Sequence, residues 1–458
     1  MRWKRLSYRV SSAAQLCPLR KSLTLLVSMF LWCTNMTCAF SSTRTALRVR
    51  YRTQQFGFWS TRSNDIHSVA IIGGGLAGLS TAHHFIQKQP GIQITIFDKA
   101  PVGTAGASSV AGGLLHPLSP RGKLVYQGRF GLQATNELVE QANRYQTCVV
   151  SESLFRVALN DEHVQQLKQT ARTLPEYCEW ISPQDMTMMM MQTSTTAGSS
   201  PNVQGGLKLS NGCKVLHVPS YLQGLYMACQ AKASGNITWT LLLENTCSSS
   251  FLTEESPHHF QLFNNFDAVV LAAGAGMFQN DSLLSLKDFP VDFLIRGQSI
   301  EMKLVSPPPR NGSSNRQNNA ALLCGKYISP LFEKNRVLIG ATHEWSSTPP
   351  LSTNQVIQDL RQRTIDMAPF VWKHGEIANV TCGYRVQSRR GPLGRLPIIG
   401  RLHDCTDIHN NVYIFTGLSS RGLLYHGLYG DVLTDMILGI QEHESGQEEY
   451  NLDWWRKC

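Results

Sequence analysis

The sequence predicts a mixed α/β protein in which a parallel-sheet domain is interrupted by an α+β domain with a mainly antiparallel sheet. Three observations favour this class. A strand, a glycine-rich turn, a helix and a second strand follow one another near residue 70. Another apolar strand, Asp267–Gly274, ends in small residues. Strand-like and helical runs then alternate irregularly, which is the pattern expected of an inserted domain.

The glycine turn lies between the apolar run Val69–Ile72 and a helical stretch that reaches Ile86. Gly73 permits a tight turn, Gly75 allows the backbone to approach a pyrophosphate, and Gly78 allows close packing of helix on strand. Leu76 and Ala77 would begin the helix, whose N-terminus attracts an anion. An ordinary glycine turn is the alternative, but the complete order of parts predicts a bound dinucleotide.

The second strand, Ile94–Phe97, is followed by Asp98 and Lys99. Asp98 stands twenty residues after the last glycine of the turn. A carboxylate at this distance accepts hydrogen bonds from the ribose of a bound dinucleotide. We therefore place both Asp98 and Lys99 in the predicted cofactor site.

A run of small residues, Gly106–Gly113, follows the second strand. Its backbone N–H groups could border an extended phosphate and ribityl chain, although a flexible loop is the alternative. A nicotinamide cofactor would not need this second segment, whereas FAD would. The residues assigned to FAD here are Gly106, Ala107, Ser108, Gly112 and Gly113, with Ala273 and Gly274 at the end of the later strand.

Other strands and helices follow from apolar periodicity. Strand-like runs are Ile237–Leu243, Ala268–Ala272, Ser299–Leu304, Val337–Gly340 and Val412–Phe415, and helical patterns are Leu124–Tyr145, Tyr221–Ala233, Thr353–Ala368 and Leu423–Gly439. Loops are predicted at Asp185–Gly206, which contains a run of methionines, at Thr246–His259 and at Ser306–Asn319.

The N-terminal residues have the composition of a targeting leader. Basic residues, the apolar run Leu23–Trp32 and a polar stretch to Ala39 are typical of a signal peptide (1–39), and the run is too short to span a bilayer. Residues 40–64 are rich in Ser, Thr and Arg, as in a transit peptide. The junction before Phe40 resembles that of algae with secondary plastids, so a plastid location is predicted, with the mitochondrion or the secretory pathway as alternatives.

Charge and cysteine content give no indication of a nucleic-acid-binding protein or of a zinc site. Eleven of the 42 Lys and Arg residues lie in 1–64, which has no acidic residue, so residues 65–458 hold 31 basic and 32 acidic side chains. This near-neutral balance gives no indication of nucleic-acid binding. The twelve cysteines include no CxxC pair and no zinc-like spacing, so we predict no metal site. No later apolar run predicts a membrane span, and nothing indicates the oligomeric state.

Five segments, in order, resemble the FAD-dependent D-amino-acid oxidase family, which includes glycine and sarcosine oxidases. The nearest likeness is to the C-terminal oxidoreductase domain of a bifunctional bacterial enzyme that modifies tRNA wobble uridine. The matching segments are the glycine turn with Asp98, Gly106–Ser108, Val269–Gly274, Arg296–Gln298, and Gly383–Arg385 followed by Leu396–Gly400; Gly340–Glu344 matches more weakly.

The resemblance implies roles for individual residues. Arg385 would hold a substrate carboxylate, for which a guanidinium is suited because it stays charged and donates two parallel hydrogen bonds; a structural salt bridge is the alternative. The family's usual Pro is Val386 here. Arg389, Arg390 and Arg395 follow, which would suit either a more anionic substrate or a solvated loop.

Further candidates lie in the other motif regions. The histidines His116, His343 and His426 could line the pocket, although core or surface roles are the alternative for each. The segment Ser420-Arg421-Gly422-Leu423, between a strand and a helix, would place backbone N–H groups near the flavin pyrimidine and stabilise negative charge there. It also resembles a segment of the tRNA-modifying domain.

The resemblance implies a glutathione-reductase-type, Rossmann-like FAD-binding domain and a separate α+β substrate domain. We predict FAD-binding parts at 65–150, 207–285 and 383–445, substrate-domain parts at 151–206 and 286–382, and a tail at 446–458. The implied activity is oxidation of a primary or secondary, amino-acid-like amine by hydride transfer to flavin N5. The imine would hydrolyse, and oxygen or another acceptor would reoxidise the flavin.

Two alternative functions remain open at this point. The chain could act on a carboxymethylaminomethyl group of tRNA, although the leader is too short to contain a methyltransferase domain and the near-neutral charge disfavours a tRNA partner. It could also bind flavin without turnover.

Overall fold

In a computed structural model, the chain is described over residues 66–191, 202–242, 265–278, 289, 291–305, 320–402 and 411–440. The predicted leader and tail, and the predicted loops at Thr246–His259 and Ser306–Asn319, lie outside these ranges. No helix in the described ranges is long and apolar enough to cross a bilayer.

The strands of the described residues, in chain order, are β1 (Ser68–Ile72), β2 (Gln93–Asp98), β3 (Leu114–Leu115), β4 (Val149–Ser151), β5 (Leu154–Val157), β6 (Cys178–Ile181), β7 (Gly206–Leu209), β8 (Lys214–Leu216), β9 (Ile237–Leu241), β10 (Ala268–Leu271), β11 (Val291–Leu304), β12 (Ala321–Cys324), β13 (Lys326–Pro330), β14 (Arg336–Gly340), β15 (Glu344–Trp345), β16 (Gly375–Ser388), β17 (Ile398–Arg401) and β18 (Val412–Thr416).

The helices are α1 (Leu76–Lys88), α2 (Gly106–Ser109), α3 (Gly128–Asn143), α4 (Asp161–Thr173), α5 (Pro183–Met191), α6 (Val218–Ala233), α7 (Thr353–Thr364), α8 (Pro369–His374) and α9 (Gly422–Leu438). A 3-10 helix covers Gly274–Phe278. The predicted strands and long helices are thus confirmed, with ends that shift by a few residues, except that β11 begins at Val291 and not at Ser299.

The first sheet has six strands in the order β17-β18-β10-β1-β2-β9. Its pairs are parallel, except that β17 runs antiparallel to β18. The central strands β1 and β10 are almost completely buried, as expected of parallel strands covered on both faces. Parallel pairing brings the residues that follow β1, β2 and β10 to one edge, where ligands bind in open α/β sheets.

Helices α1, α3, α6 and α9 pack against one another beside this sheet. Small residues permit the close approach: a Cβ on Gly430 of α9 would lie 2.6 Å from Ser80 Oγ of α1. Thr135 on α3 donates a hydrogen bond to Leu423 O of α9 at 2.7 Å. The N-termini of α1 and α9 are neighbours, because a Cβ on Gly422 would lie 3.1 Å from Leu76 Cδ1.

The second sheet is mainly antiparallel, in the order β15-β11-β14-β13-β12-β5-β7-β6, and β16 also pairs with β11. Only β12 and β5 pair in parallel among the described strands of this sheet. The fourteen-residue strands β11 and β16 form a long ribbon. A small third sheet has the order β3-β8-β4. The fold is therefore mixed α/β, as predicted.

The predicted domain limits do not all fall between strands. Residue 207 lies inside β7 and residue 383 lies inside β16, and both strands belong to the second sheet. The long ribbon of β11 and β16 explains the second case, since its pairing continues on both sides of residue 383. The assignment of domains to cofactor and substrate remains a prediction.

The prediction of a loop across Asp185–Gly206 is wrong for its first part. Helix α5 covers Pro183–Met191, so it includes the methionine run. Ser182 accepts a hydrogen bond from Asp185 N at 3.1 Å and thereby satisfies one free donor of the first turn. Met186 is completely buried, and methionine has a high helix propensity.

Candidate functional site

The glycine turn after β1 is held where no side chain would fit. Gly73 has φ +105°, and its N–H donates to Phe97 O of β2 at 2.7 Å. A Cβ on Gly73 would lie 2.5 Å from Ala273 Cα, and one on Gly78 would lie 1.9 Å from Gly73 O. These contacts explain why glycine occupies both positions: the turn, the strand β10 and the helix α1 meet with backbone against backbone.

Helix α1 begins beside the predicted small-residue segment. Gly75 is its N-cap, with no side-chain cap, and Leu76 N lies 3.5 Å from Ser108 Oγ. A Cβ on Gly75 would meet only that hydroxyl, at 3.3 Å. The first turn therefore has backbone N–H groups next to α2, in an arrangement suited to an anion.

Two glycines assigned to the cofactor face open space. Gly106 and Gly274 have positive φ, and an added Cβ would meet nothing within 4 Å. Ala273 lies against Gly73, and Gly274 continues into the 3-10 helix. The carboxyl edge of the first sheet thus combines a helix N-terminus, whose Leu76 N–H donates only a long hydrogen bond to Ser108, with backbone that a ligand could approach closely. This combination fits the extended diphosphate of FAD.

Asp98 has an additional structural contact that the sequence did not reveal. Its Oδ2 accepts a hydrogen bond from Gly74 N at 2.7 Å, and its Oδ1 accepts one from Ala100 N at 3.2 Å. The carboxylate therefore fixes the glycine turn, and its remaining lone pairs could still accept from a ribose. Lys99, the next residue, is exposed.

Trp239 on β9 is a site residue that sequence analysis missed. A Cβ on Gly74 would lie 2.0 Å from Trp239 Cη2, so the indole covers this part of the turn. Trp239 Nε1 donates to Ala100 O at 3.2 Å. A tryptophan within the predicted strand was the available signal, but only the pairing of β9 with β2 brings it to the turn.

The second sheet presents one face to the small-residue segment. Paired residues of antiparallel strands lie on the same face, and alternate residues along a strand share it. Gly297 pairs with Gly383, Ile295 with Arg385, and Phe293 with Gln387. We call this side of the β11–β16 ribbon the site face.

The inner end of the site face lies against the predicted cofactor segment. A Cβ on Gly383 would lie 2.6 Å from Val110 Cγ2 and 3.1 Å from Ala107 Cα. Likewise, a Cβ on Gly112 would lie 2.5 Å from Cζ of Tyr327. Tyr327, which sequence analysis missed, also shares a 3.2 Å hydrogen bond with Ser299 Oγ, and its burial raises its pKa.

Arg385 occupies the middle of the site face. Its Nη2 donates to Thr342 O at 3.2 Å, and a Cβ on Gly297 would come within 2.6 Å of that nitrogen. Within the described ranges, no carboxylate lies within 4.0 Å of its guanidinium, so the structural salt bridge considered as an alternative is not present there. Burial lowers the pKa of Arg385, although an arginine remains charged at neutral pH.

Arg296, the neighbouring arginine of the ribbon, is by contrast fully paired. On the opposite face, its Nη1 lies 3.3 Å from Glu344 Oε2, and both side chains are buried. Its Nε also donates to Tyr384 OH at 3.1 Å. The contrast shows that this sheet supplies a buried counter-ion to one arginine and none, among the described residues, to Arg385.

Glu344 organises the backbone that anchors Arg385. It accepts hydrogen bonds from Thr342 Oγ1, from Gln298 Nε2 at 3.1 Å and from Leu351 N at 3.0 Å. Thr342 N donates to Gln298 O at 2.9 Å, and Thr342 Oγ1 accepts from Gln298 N at 2.8 Å. Thr342 is therefore fixed on three sides, and its carbonyl is the group that receives Arg385.

The three candidate histidines have different environments. His343 is exposed next to Thr342, and partial burial together with the charge of Arg385 lowers its pKa. Burial and the charges of Arg156 and Arg421 lower the pKa of His116 to about 3. His116 Nδ1 accepts from Leu118 N at 3.3 Å, so the neutral ring carries its proton on Nε2.

His426 does not line a pocket; it is completely buried in the helical layer. Its Nδ1 contacts Gly422 O at 3.0 Å and must be the donor, because a carbonyl only accepts. Its Nε2 therefore accepts from Tyr221 OH at 2.7 Å, and burial lowers its pKa to about 4. The core role considered in the sequence analysis is the correct one.

The remaining candidates cluster at the start of α9. Arg421 is the N-cap, no side chain caps this helix, and Ser420 is exposed. The side chain of Leu423 is buried, so only its backbone is available to contact a cofactor. Ser419 N donates to Val386 O at 3.1 Å, which places this turn beside the strand of Arg385.

Arg395 has a structural role that differs from both interpretations in the sequence analysis. It pairs with Asp292 and donates to Ser388 O, which anchors the hairpin after β16 to the ribbon. Arg389 makes a longer ion pair with the same carboxylate, with its Nε 4.0 Å from Asp292 Oδ1, and Arg390 is exposed. Arg395 is therefore neither a free anion-binding group nor part of a solvated loop.

These features define a dinucleotide-binding α/β enzyme with a second sheet against its cofactor edge. The chain belongs to the family described as FAD dependent oxidoreductase (DAO), whose sequence profile matches residues 68–436. It is an FAD-dependent oxidoreductase, and the predictions of family, enzyme class and cofactor are confirmed.

Comparisons with individual proteins agree with this assignment. A tRNA 5-methylaminomethyl-2-thiouridine biosynthesis bifunctional protein from Magnetococcus marinus is 23% identical over 422 residues, 82% of this chain and 57% of the relative. This chain thus spans little more than half the length of that relative. Glycine oxidase structures from Bacillus cereus and Geobacillus kaustophilus have TM-scores of 0.60, with 18% and 19% identity, and cover 85% and 84% of this chain and 98% of each oxidase.

Proposed function

We propose that this enzyme oxidises a primary or secondary amine that carries a carboxylate. The observation that carries the proposal is Arg385, a half-buried guanidinium with no carboxylate partner among the described residues, on the face that adjoins Ala107 and Val110. An unpaired buried charge is costly, and a bound carboxylate would compensate it with two charge-assisted hydrogen bonds. The glycine oxidase neighbours are consistent with such a substrate.

The six-stranded sheet would hold FAD and the nine-stranded sheet would border the substrate. Gly73, Gly75 and the first turn of α1 would hold the diphosphate, and Gly106–Gly113 would lie along the cofactor. The turn before α9 would supply N–H groups to the flavin pyrimidine. When bound, FAD accepts a hydride from the C–H next to the amine nitrogen at its N5, and oxygen or another acceptor later takes the electrons.

The chain's own side chains would mainly bind and orient the substrate. Arg385 would fix the carboxylate, and Thr342 and Glu344 would fix Arg385. Tyr327, half-buried between Ser299 and Gly112, would limit the access of water to the inner end. His116 and His343 would be neutral at physiological pH because their pKa values are lowered, so neither would add charge next to the amine.

The test uses purified holoprotein without oxygen. Glycine, sarcosine, proline and D-amino acids are added separately while flavin absorbance is followed, and we expect at least one to bleach it.

Arg385→Ala should then lower kcat/KM for that substrate by about a hundredfold or more, since hydrogen bonds to a charged group are worth about 1.5–3 kcal/mol each. Arg363→Ala, on the exposed side of α7, is the control. An unchanged kcat/KM in Arg385→Ala would disprove the carboxylate clamp, and a flavin that no amine bleaches would favour a non-catalytic flavin protein.

A second candidate, action on a carboxymethylaminomethyl group of tRNA, is favoured by the names of the sequence relatives. The near-neutral charge of residues 65–458 argues against strong tRNA binding. A gel-shift experiment with tRNA at low salt tests this second candidate. Retention of tRNA by the wild type would support it, and the absence of a shift would leave a small amine as the proposed substrate.

Location in a plastid is also a proposal, supported by the composition of residues 1–64. A fusion of these residues to a fluorescent protein should accumulate in the plastid of an alga with secondary plastids. Accumulation in mitochondria or in the secretory route would overturn the proposal.

A further inference from the structure

His343 is placed on the site face by strand register. β15 pairs with β11 through Glu344 and Arg296. Continued by one residue, this register sets His343 opposite Gly297. A hydrogen bond of 2.9 Å from Thr342 N to the carbonyl of the residue after Gly297 continues the pairing. Because paired residues share a face, His343 and Gly297 lie on the same side of the sheet.

The guanidinium of Arg385 lies over the same glycine. A Cβ on Gly297 would lie 2.6 Å from Arg385 Nη2, which donates to Thr342 O at 3.2 Å. That carbonyl belongs to the peptide bond that joins Thr342 to His343. Paired Cα atoms of antiparallel strands are about 4.5–5.5 Å apart, so one small molecule can contact both the guanidinium and the imidazole.

The imidazole of His343 is open to a ligand. The side chain is exposed, and among the described residues it has no hydrogen-bond partner. By contrast, Nδ1 of His116 accepts from a backbone N–H, and both ring nitrogens of His426 are bonded. His343 therefore differs from the other two candidate histidines, because its ring nitrogens are available beside the candidate carboxylate site.

The charged groups that act on His343 within the described ranges are cationic. Partial burial lowers the pKa of the ring, and so do the charges of Arg385 of β16, Lys326 of β13 and Arg395 of the hairpin after β16. The ring is therefore neutral at physiological pH and has a lone pair that can take up a proton. The same positive field disfavours a bound ammonium group and favours the neutral amine.

A carboxylate-bearing amine must lose a proton at this site. In water at neutral pH it carries an ammonium group, and its nitrogen needs a lone pair before the neighbouring C–H bond can give up a hydride. Of its described neighbours on the site face, Arg385 is already charged, and Tyr327 is already protonated because burial raises its pKa. His343 is the neighbour that has a lone pair for this proton.

We propose that His343 takes up the ammonium proton of a substrate whose carboxylate is bound by Arg385. The N–H bond of the ammonium breaks, its electron pair stays on the substrate nitrogen, and the proton bonds to a ring nitrogen of His343. Because the ring is exposed, the proton can then pass to water. In an α-amino acid a single carbon atom separates the carboxylate from the amine, which suits two side chains that flank one glycine. This inference rests on the proposed function, because it uses Arg385 as the carboxylate site.

The kinetic test follows flavin bleaching without oxygen, with an amine that bleaches the wild type. His343→Gln keeps a polar side chain but cannot take up the proton. Its rate at pH 7 should fall about a hundredfold, as expected when a general base is lost, and should recover towards about pH 10 as the amine itself becomes neutral. Added imidazole should restore the rate of His343→Ala. His67→Gln, which replaces an exposed histidine before β1, is the control and should change nothing.

A binding test needs no turnover. (Methylthio)acetate carries a carboxylate and no amine, and calorimetry on the holoprotein measures its affinity from about pH 8 to about pH 5. A carboxylate on Arg385 offsets positive charge beside His343 and so raises the pKa of the ring. Proton uptake then accompanies binding, so the affinity should rise several-fold as pH falls, whereas in His343→Gln it should stay nearly constant.

The outcomes separate a failure of this inference from a failure of the proposed function. If Arg385→Ala binds (methylthio)acetate as tightly as the wild type, the carboxylate site is wrong. If Arg385→Ala weakens binding but His343→Gln keeps the wild-type rate at pH 7, or the wild-type pH dependence of affinity, the proton-accepting role is overturned and the proposed function stands. A His343→Gln rate that is low at every pH, with no rescue of His343→Ala by imidazole, would also overturn it. Unchanged flavin absorbance and circular dichroism identify the variants that remain folded.

Discussion

The guanidinium of Arg385 differs from its neighbours in what surrounds it. Arg296 and Arg395 each have a carboxylate in contact, while Arg385 donates to a backbone carbonyl. Partial burial of a charge without a counter-ion is unfavourable, so such a group is expected where a ligand provides the missing charge. The binding role that we propose for Arg385 therefore rests on this lack of a carboxylate partner among the described residues, and not on its presence in a motif alone.

The anchoring of Arg385 through Thr342 leads to a prediction. Thr342→Val removes the hydroxyl that donates to Glu344 and accepts from Gln298 N, so the carbonyl that receives Arg385 should shift. We expect KM for a carboxylate-bearing amine to rise about tenfold, since the hydrogen bond from Arg385 to the Thr342 carbonyl is worth about 1–1.5 kcal/mol, with a smaller change in kcat. Steady-state kinetics measures both values.

The matched controls for this prediction are Thr342→Ser and the double variant with Arg385→Ala. Thr342→Ser keeps the hydroxyl and should keep KM near the wild-type value. In the Arg385→Ala background, Thr342→Val should have little further effect, because the group that it positions is absent. An equal effect in both backgrounds would mean that Thr342 acts on general structure and not through Arg385.

A charged cluster links the two helices that begin at the cofactor edge. Asp431 of α9 contacts His84 Nδ1 at 3.0 Å and Lys88 Nζ at 2.7 Å, both on α1. Although burial acts to raise the pKa of Asp431, these partners lower it to about 2 from the ordinary 3.8. The carboxylate therefore stabilises the folded state where it is ionised.

This cluster predicts an acid-dependent loss of stability. Because the folded pKa is below the unfolded one, the stabilisation is complete above about pH 4 and is lost as pH falls towards 2. Asp431 is 40% exposed, so screening should limit its contribution to about 1 kcal/mol. Denaturant unfolding should find Asp431→Asn less stable than the wild type at pH 6 and equal to it near pH 2. A constant difference at both pH values would contradict the linkage.

At the scale of elements, the junction of β1, α1 and β10 depends on glycine. A Cβ at residue 78 would lie 1.9 Å from Gly73 O, so Gly78→Ala should force the turn away from α1. We expect the purified variant to lose most of its bound flavin, as measured by absorbance at 450 nm, since the helix N-terminus would move. Gly391→Ala is the control, because its nearest neighbour would be 3.8 Å away. Full flavin content in Gly78→Ala would show that the turn can shift without affecting the cofactor.

The two sheets approach each other through Gly383, which decides the geometry of the whole site. A Cβ there would lie 2.6 Å from Val110 Cγ2, so Gly383→Ala should push the 106–113 segment away from the ribbon. We expect a lower kcat with substantial flavin retained, because the substrate site and the cofactor edge would separate while each persists. Gly383→Ala with kcat unchanged would show that the Val110 side chain simply turns aside.

The whole molecule also shows how much of the site could be predicted from the sequence. The glycine turn, the small-residue segment and Arg385 were predicted because each has a local signal: backbone freedom or a motif of fixed spacing. Tyr327, Trp239 and Glu344 were missed as site residues because their role depends on contacts with distant segments. His426 and Arg395 were ambiguous for the same reason, since burial and ion pairing are not local properties.

By itself, the sequence determined the mixed α/β class and a dinucleotide site, because apolar periodicity and glycine spacing express backbone requirements that act over a few residues. The family followed from the resemblance of five segments to known FAD-dependent enzymes, and that resemblance together with the second small-residue segment indicated FAD. The tertiary structure alone decided which charges are paired, which faces meet, and that the methionine run is helical. It also decided that His343 shares a sheet face with Arg385, since strand register depends on pairings between residues as far apart in the chain as Ile295 and Arg385.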